Sequence, residues 1–405
     1  MSANGRSPGG VRICAAVVSH LPHDARVWKQ ARTLAEAGNE VRLVGLRYGL
    51  PRARSRRVGP ITVREIPFGN RRGASVPRRA LILLRMWIAV LRSPADAYHC
   101  HNIHPAPAVL AAARLRGARI VYDAHELYGE VRPGARLGSR LAARLSRIVE
   151  RAIVRMADEV ITTNPSRAAV LARRYGLDEV RVVANVPAAI ESVEPLDPGF
   201  PAGPILLYQG GIYAEARAFE QTICAMRELP GVTLAILGFG RDRDRALIGE
   251  WARREGVQDR VILFDAVPFD QLVRIAAAAT VGLVPLRNIS LNSWFGDTNK
   301  LFEYLMAGLP VVGSDFPEVR RVLDEGAPAV GEVFDPEDHA SIAAAVRSVL
   351  DEDGYEARRH EARRIALDRY CWHHEEAALL SCYPLRTYGE VRNSGERGLR
   401  ARALR

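Results

Sequence analysis

The stretch Asn299-Lys-Leu-Phe-Glu-Tyr-Leu-Met-Ala-Gly-Leu-Pro-Val-Val312 joins a helical pattern to an apolar strand pattern. Asparagine favours the capping position of a helix, so we expect Asn299 to cap a helix that runs through Met306. Gly308 can end that helix, because glycine readily adopts the left-handed conformation found after a last helical turn. Apolar residues at Val311–Ser314 then predict a strand, as in an α/β sheet.

Lys300 lies in the first turn of the predicted helix, where a cation interacts unfavourably with the helix dipole. A bound anion would account for that position. Glu303 lies one turn further along, so both side chains can reach one ligand. A carboxylate can accept hydrogen bonds from two neighbouring hydroxyls, as on a ribose. The segment therefore predicts a binding site for a ligand with an anionic group.

Apolar strands alternate with helical patterns in both halves of the chain. Val11–Val18 is a continuous apolar strand, followed by a helical pattern that stops at Gly38. In the second half, Pro204–Gly211 is a strand that ends in glycines, and a helix-like stretch, Phe219–Leu229, follows it. We expect further strands at Val41–Leu46, Ile61–Ile66, Ala97–His101, Ile120–Tyr122, Glu159–Thr163, Val232–Leu237, Val261–Phe264, Val281–Pro285 and Val311–Ser314. This alternation predicts two parallel sheets with helices on both faces.

A proline-rich segment, Pro187–Pro204, has the composition of a linker between the halves. We expect one doubly wound domain over residues 1–190 and another over 191–375. Residues 376–405 are predicted to form a helix that returns toward the first domain and a basic tail. We expect residues 1–9 and the tail from about Glu390 to be mobile.

Polar segments follow three strands of the first half, at His20–Arg26, His99–His104 and Asp123–Glu126. Their histidines are candidate metal ligands, but they lack the regular H-x-x-x-H spacing of a helical metal site. Two other interpretations are open: side chains that cap loops, and contacts to a hydroxyl-rich substrate. Ligands of doubly wound sheets bind beyond the carboxyl ends of the strands, which favours a binding role. The candidate residues here are His20, Asp24, Arg26, His101, His125 and Glu126.

Glycines end two strands of the second half, at Gly210-Gly211 and at Gly238-Phe-Gly240. Glycine lets backbone N–H groups approach a phosphate, and a helix N-terminus adds partial positive charge. Arg217 lies before the next helix, where it either pairs with a phosphate bidentately or remains a solvated surface residue. Gly-x-Gly alone is weak evidence, because it occurs in many α/β proteins.

The composition excludes several classes of protein. The chain has 405 residues, 48% apolar and 25% charged, which excludes disorder as the main state. No stretch has the roughly 20 uncharged residues of a membrane span, and residues 1–10 lack the apolar region of a signal peptide. Five cysteines without a C-x-x-C pair argue against a disulfide framework or a zinc knuckle. We therefore expect a cytoplasmic protein.

The charge is uneven, with a net of +19 over residues 1–190 and −8 over residues 191–405. Arginines recur along one face of a predicted helix between Arg132 and Arg155, beside the apolar positions Leu137, Leu141, Leu145, Ile148 and Ala152. Arg78-Arg79 and Arg92 bracket another apolar segment, Ala80–Leu91. The apolar faces either pack on the sheet or dock on anionic lipid, which would make the protein peripheral at a membrane. Nucleic acid is disfavoured, because aromatic residues do not interleave with the basic runs.

Several segments carry a family resemblance together with the 299–312 stretch. They are Asp24-x-Arg26-Val27, Tyr122-Asp-Ala-His-Glu126, Asp158-Glu-Val-Ile-Thr162, Tyr208-Gln-Gly210, Leu283-Val-Pro285 and Leu291-Asn292. As a set they resemble the GT-B glycosyltransferases, particularly the large retaining family four, over roughly residues 11–375. The resemblance implies an α/β protein in which two Rossmann-like, doubly wound parallel-sheet domains face an interdomain cleft.

The resemblance also implies roles for individual residues. Glu303 matches the second glutamate of the family's Glu-x7-Glu motif, expected at the nucleotide ribose, whereas Phe295 stands at the first. Gly211 occupies the position of a usual arginine, and Arg217 that of a usual lysine. His125 matches a histidine that faces the donor sugar near the reacting centre. The implied catalytic residues are His125, Arg217 and Lys300, and the implied donor-binding residues are Gly210, Gly211, Gly238, Asn292, Asn299 and Glu303.

The implied reaction moves a sugar from a nucleotide-diphosphate sugar, most commonly a UDP-sugar, to a hydroxyl acceptor with retention of anomeric configuration. Arg217, Lys300 and backbone N–H groups would stabilise the leaving diphosphate. We identify no Asp-x-Asp metal motif near a strand end, so we expect metal independence and no cofactor besides the nucleotide-sugar co-substrate. Lipid-linked molecules and natural-product glycosides are candidate acceptors. Phe295 and Gly211 keep two alternatives open: a nucleotide-sugar binding protein without transferase activity, and a nucleotide-sugar epimerase.

Overall fold

A computed structural model describes residues 10–68, 76–130 and 137–383. They form two compact units, one containing the described residues up to Val183 and from Glu375 onward, the other containing Ala184–His374. The N-terminal and C-terminal segments predicted to be mobile lie outside the described residues, as do Arg132 and Arg136 of the predicted arginine face.

The first unit is built on an eight-stranded sheet with the strand order β3-β4-β2-β1-β5-β6-β7-β8. The strands are β1 Arg12–His20, β2 Glu40–Tyr48, β3 Arg54–Val58, β4 Ile61–Phe68, β5 Ala97–His101, β6 Arg119–Ala124, β7 Glu159–Thr162 and β8 Arg181–Val182. The helices are α1 Ala25–Glu36, α2 Val76–Leu91, α3 Ala106–Arg116, α4 Leu137–Met156 and α5 Pro165–Tyr175. The central strands are rich in apolar residues because helices cover both faces of such a sheet and bury the side chains on each face.

Two strands of this sheet were not predicted from the sequence. β3 is rich in arginine and pairs antiparallel with β4, so this sheet is not wholly parallel as expected. It lies at the sheet edge, where charged side chains can remain in solvent and no apolar run is required. β8 consists of two residues at the opposite edge, too short for a periodic pattern.

The second unit has a six-stranded, wholly parallel sheet in the order β11-β10-β9-β12-β13-β14. Its strands are β9 Ile205–Gln209, β10 Thr233–Leu237, β11 Val261–Phe264, β12 Val281–Val284, β13 Val311–Ser314 and β14 Gly331–Phe334. Its helices are α6 Phe219–Ala225, α7 Asp242–Arg254, α8 Leu272–Ala276, α9 Leu291–Trp294, α10 Asn299–Met306, α11 Pro317–Leu323, α12 His339–Val349 and α13 Glu352–Asp368. The last helix, α14 Trp372–Ser381, continues into residues of the first unit.

The structure corrects three local expectations in the second unit. Thr298, not Asn299, is the capping residue of α10, and Asn299 is its first helical residue. The side chain of Asn299 instead accepts a hydrogen bond from Asn185 at 2.8 Å. The helix predicted to reach Leu229 ends as an α-helix at Ala225 and continues as a 3-10 turn. β14 had not been predicted.

Each sheet has a point where the direction of strand addition reverses, and candidate residues lie there. In the first unit, β1 is flanked by β2 and β5, and in the second unit β9 is flanked by β10 and β12. Loops at the carboxyl ends of strands diverge at such points and leave a crevice for ligands. The loop after β9 and the end of β5 lie at this point in their own units, and the loop after β10 and the end of β6 lie one strand away from it.

Candidate active-site residues of the two units

A buried carboxylate, Asp123, is the centre of the site in the first unit. It lies near the carboxyl end of β6 and pairs in register with His101 of β5. Arg26 of α1 binds both carboxylate oxygens, from Nε at 3.0 Å and from Nη2 at 2.8 Å. Gln30 donates to Oδ2 at 2.9 Å, and His125 Nε2 lies 3.2 Å from the same oxygen. These contacts satisfy a charge that would otherwise be costly to bury.

The charges around Asp123 follow from burial and pairing. Burial opposes ionisation of Asp123, but Arg26, followed by His125 and His101, outweighs it and holds the pKa of the carboxyl well below its usual range. Burial, reinforced by His99, keeps the pKa of His101 well below its usual value. Burial also lowers the pKa of His99, whose Nδ1 shares a hydrogen bond of 2.6 Å with the Tyr383 hydroxyl. The centre is therefore an ionised carboxylate with the neutral imidazoles of His99 and His101 beside it.

His125 is the member of this group that keeps partial access to solvent, with 17% of its side chain exposed. Its backbone N–H donates to Asn102 Oδ1 at 3.2 Å, and its carbonyl accepts from Arg167 at 2.9 Å. Its ring contacts Asp123, as described above, and His101 Nδ1 lies 3.2 Å from its Nε2. Backbone and ring are thus both held, and part of the His125 imidazole remains open to solvent.

A metal ion fits this cluster poorly. His99, His101 and Asp123 can each offer one ligand atom, all within 4.8 Å of one another, and Nε2 of both histidines lacks a hydrogen-bond partner among the described residues. However, both oxygens of Asp123 already accept hydrogen bonds from Arg26. A divalent cation would meet the guanidinium charge at short range, so the donor set favours the arginine over a metal.

The other residues predicted on this side have mixed positions. Arg26 is buried against Asp123 rather than open to a ligand. Asp24 caps α1 by accepting from the backbone N–H of Val27, which is a structural task. His20 Nδ1 accepts from the backbone N–H of Tyr48 at 3.2 Å, whereas Glu126 is exposed.

Glycines bring two loops of the second unit into close contact. Gly210 donates its backbone N–H to the carbonyl of Leu237 at 2.9 Å. A Cβ at Gly238 would lie 1.8 Å from the carbonyl oxygen of Gly210, and the φ angle of Gly238 is +157°. Only glycine fits this approach, so the backbone after β9 and β10 stays open beside the start of α10.

Lys300 is a buried cation at the start of α10. Its Nζ lies 5.0 Å from the centre of the Tyr208 ring, a cation–π distance. Burial, followed by the charge of Arg217, lowers the pKa of Lys300 to about 7, against the opposing effect of Glu303. Among the described residues, no carboxylate oxygen lies within 4.0 Å of Lys300 Nζ. An anion here would remove most of the cost of its burial.

Arg217 and Tyr208 form the neighbouring part of the site. Arg217 Nε donates to the Tyr208 hydroxyl at 3.2 Å, and that hydroxyl donates to the carbonyl of Gly211 at 2.6 Å. Arg217, like Lys300, has no carboxylate partner among the described residues. The two predicted cations therefore share Tyr208, which contacts both of them.

Glu303 is held by a residue that the sequence analysis left without a role. Gln209 Nε2 donates to Glu303 Oε2 at 2.6 Å, and Gln209 Oε1 has no partner among the described residues. The hydroxyl of Tyr304 bridges the backbone of β9, accepting from Gln209 at 2.9 Å and donating to Leu207 at 2.9 Å. The sequence signal for this contact was the dipeptide Tyr208-Gln209 before the glycines. Glu303, the partner of Gln209, lies 94 positions further along the chain.

The remaining residues that were predicted to bind the donor belong to the same unit. Asn292 lies in α9, after the capping residue Ser290, and Asn299 begins α10. A Cβ at Gly211 would lie 2.4 Å from the ring of Tyr213. The aromatic ring thus fills the space where the family's usual side chain would begin.

One expectation about metal binding rested on an incomplete observation. Asp242-Arg-Asp244 does follow β10, so an Asp-x-Asp sequence exists near a strand end. Asp244 is buried and accepts from Arg241 at 2.6 and 3.1 Å at the start of α7. This carboxylate is therefore committed to an arginine at the helix start.

Two family models match separate parts of the chain. Residues 24–186 match the family described as Glycosyl transferase 4-like domain, and residues 203–352 match Glycosyl transferases group 1. The chain belongs to the group 1 glycosyltransferases. A glycogen synthase of Mycobacterium tuberculosis is 30% identical over 224 residues, which are 53% of this chain and 51% of that protein. The chain spans about half the length of these curated relatives.

Solved structures similar to this group 1 glycosyltransferase share its fold. Sucrose-phosphate synthase from Thermosynechococcus elongatus has a TM-score of 0.75 at 16% identity, covering 92% of this chain and 98% of that one. Anabaena HepE in complex with UDP and glucose has a TM-score of 0.66 at 14% identity, with 92% and 98% covered. At these identities the likeness shows the GT-B fold alone.

Proposed function

We propose that this group 1 glycosyltransferase moves a sugar from a nucleotide-diphosphate sugar, with UDP as the favoured nucleotide, to a hydroxyl acceptor. The observation that carries the proposal is the pair Lys300 and Arg217 at the carboxyl end of β9. Both are cations without a carboxylate partner in the described chain, and one of them is buried. A diphosphate supplies the missing charge, and Glu303 next to them suits the ribose hydroxyls.

Retention of anomeric configuration and metal independence are parts of this proposal. The leaving diphosphate gains negative charge as the sugar departs, and Lys300, Arg217 and the backbone N–H groups near Gly210 can stabilise that charge. These groups can take the place of a divalent ion. The sugar itself passes through an oxocarbenium-like state, and His125 is the residue we propose to contact it.

Two alternatives fit the same nucleotide site, a binding protein without activity and an epimerase. The distinguishing experiment incubates the protein with UDP-, ADP- and GDP-sugars and a cell-derived acceptor extract in EDTA. Mass spectrometry should show an acceptor product heavier by one sugar, and its anomeric NMR signals should match the donor configuration. Donor conversion to an isomeric nucleotide sugar would indicate an epimerase. Nucleotide binding without any product in all extracts would favour the inactive alternative.

We also propose that the first unit docks on an anionic lipid surface and that the acceptor is lipid-linked. Large apolar side chains that are exposed in the described part of this unit all lie on α2, α3 or α4: Leu81, Leu84, Ile88, Leu115, Leu141, Leu145 and Ile148. These helices carry three, two and five arginines, and their single acidic residue, Glu150, is buried.

The exposure of apolar side chains on α4 contradicts the interpretation that the apolar face of this helix packs on the sheet. Leu141, Leu145 and Ile148 are 56%, 54% and 65% exposed. Helix α3 contacts both α2 and α4, so the three helices form one continuous surface. Exposed apolar groups among arginines that form no ion pair with any described carboxylate match a bilayer with anionic headgroups, worth about 1 kcal/mol per well-placed cation. Among the described residues, no helix is long and apolar enough to cross a bilayer.

Flotation with vesicles of equal parts phosphatidylcholine and phosphatidylglycerol tests the docking. The protein should float at low salt, and Arg140→Gln with Arg144→Gln should reduce flotation. The matched control, Arg243→Gln with Arg253→Gln, removes the same charge from the second unit and should float normally. Equal flotation of both double variants, or none with the wild type, would contradict the lipid surface and favour a soluble acceptor.

A further inference from the structure

A second concave region of the first unit lies away from the histidine cluster. It has a volume of about 750 Å³ and is lined by residues of β2, β3, β4 and the second half of α2. Arg42 lies near the amino end of β2, and Arg85 and Arg92 lie toward the end of α2 and just beyond it. The cavity thus runs along one face of the sheet edge, whereas the candidate active-site residues lie at the carboxyl ends of β5 and β6.

The described residues that line this cavity carry charge of one sign only. Five arginines face it, Arg42, Arg52, Arg64, Arg85 and Arg92, and none of the described lining residues is acidic. Within the described part of the chain, none of the five forms an ion pair with a carboxylate. Like charges that converge on one concave space repel one another, and a bound anion relieves that repulsion.

Glu65, the acidic residue of β4, lies on the face of the sheet opposite the cavity. Side chains of β4 alternate between faces, so Thr62, Arg64 and Ile66 lie on the cavity side and Glu65 on the other. Glu65 is buried and pairs with Arg47, Arg54 and Arg56 at 2.8, 2.6 and 3.1 Å. Glu65 is therefore engaged by arginines on the opposite face and does not compensate the charge of the cavity arginines.

The lining also offers uncharged groups suited to an oxyanion ligand. Arg64 Nη1 donates to Ser55 Oγ at 3.2 Å, which holds the guanidinium within the cavity. Ser55 and Thr62 add hydroxyls, and Ile66 and Ile88 supply an apolar wall. One guanidinium group can bind two phosphate oxygens at once. Several guanidinium groups around one cavity therefore favour a ligand that presents several phosphate oxygens.

We propose that this cavity is a second binding site, distinct from the nucleotide-sugar site, for a ligand with a phosphate or pyrophosphate group. The group belongs either to a soluble molecule or to a lipid headgroup, since both present the same oxyanion. The site goes beyond the proposed transfer reaction, because its residues belong to neither set of candidate active-site residues.

Arginine-directed labelling with phenylglyoxal, read residue by residue by mass spectrometry, tests the site in the intact protein. Arg52, Arg85 and Arg92 are exposed and should react when no ligand is present. Inorganic pyrophosphate, at ionic strength matched with sodium chloride, should lower their labelling rates at least threefold. Arg173, exposed on α5 and outside both the cavity and the α2–α4 surface, is the internal reference and should label at an unchanged rate.

Variants separate a built site from general screening by salt. Arg64→Gln with Arg92→Gln should abolish the pyrophosphate protection of Arg52 and Arg85. The control pair Arg243→Gln with Arg253→Gln removes the same charge from the second unit and should leave the protection intact. Circular dichroism confirms that both double variants fold. Because Lys300 and Arg217 are untouched, nucleotide binding should be normal in both.

A parallel labelling experiment with phosphatidic acid vesicles distinguishes a soluble phosphate ligand from a lipid headgroup. Protection by pyrophosphate supports a soluble ligand, and protection by vesicles alone supports a lipid headgroup. Equal protection of Arg173, protection that survives in the Arg64→Gln and Arg92→Gln variant, or no protection by either probe would overturn the proposal.

Discussion

Single residues in this protein depend on partners that are distant in the sequence. Glu303 was predicted from the family motif, but the amide of Gln209 that holds it lies 94 positions earlier. Asp123 was quoted in a motif without a role, and its partners Arg26 and Gln30 lie 97 and 93 positions away. A sequence reveals which residue types follow a strand, whereas such pairings depend on which strands become neighbours.

Lys300 should make nucleotide binding depend on pH. Because burial, followed by Arg217, lowers its pKa to about 7, the free site loses its ammonium charge as the pH rises above neutrality. A diphosphate binds the protonated form, so binding takes up a proton and raises this pKa. UDP affinity should then fall between pH 7 and pH 9 by up to about tenfold per unit. Calorimetric titrations at constant ionic strength measure the slope.

The control is Lys300→Arg, whose guanidinium keeps its charge over this range. Its UDP affinity should be nearly independent of pH from 7 to 9. The same slope in wild type and Lys300→Arg would assign the titration to another group and remove Lys300 from the phosphate contact.

His125 should affect turnover more than binding. Its imidazole edge is fixed by Asp123 and by two backbone hydrogen bonds, so it can act on a developing charge without reorganisation. His125→Ala should lower kcat by about 100-fold or more while changing UDP affinity less than threefold. His104→Ala, a nearby exposed histidine, is the matched control and should stay near wild type. A loss confined to UDP affinity would exclude the catalytic role.

At the scale of elements, the apolar strands were predictable and the edges of the sheets were not. The expected bounds of β5, β11 and β13 agree with the structure, and β11 is a continuous apolar run of four residues. β3, β8 and β14 lack that signal, since an edge strand needs fewer apolar side chains. The capping error at Asn299 has a similar cause: Thr298 precedes it, and Asn185 from another segment binds its side chain.

The contact between the loops after β9 and β10 should be sensitive to one methyl group. Gly238→Ala would put a Cβ 1.8 Å from the carbonyl oxygen of Gly210, so the loops must separate. Gly231→Ala is the matched control, because its φ is also positive, at +85°, but nothing lies within 4 Å of its Cβ.

We expect Gly231→Ala to cost roughly 1 kcal/mol of apparent stability and Gly238→Ala about 1–3 kcal/mol more, measured by urea unfolding. Gly238→Ala should also weaken UDP binding, since the displaced loop borders Lys300. Equal stability of the two variants would show that the close approach is not required by the fold.

On the scale of the whole molecule, the sequence indicated two α/β sheets but not their strand orders. The alternation of strands and helices requires parallel pairing, yet which strand is central depends on the helices that cross each face. The charge asymmetry was also visible in the sequence. Its distribution became clear only in the fold, where the arginines separate into an apolar-and-basic helix surface, a cavity at the sheet edge, and Arg26 buried against Asp123.

The claim on which the rest depends is that Lys300 and Arg217 bind the diphosphate of the sugar donor. The most direct measurement is calorimetric binding of UDP, ADP and GDP in EDTA to the wild type, Lys300→Ala and Arg217→Ala, with Lys29→Ala as the control at the only other lysine. At least one nucleotide should bind the wild type and Lys29→Ala equally. Each site variant should lose roughly 1.5–3 kcal/mol, or about 10- to 150-fold in affinity. Unchanged affinity in both site variants, or no binding of any nucleotide to the wild type, would contradict the account.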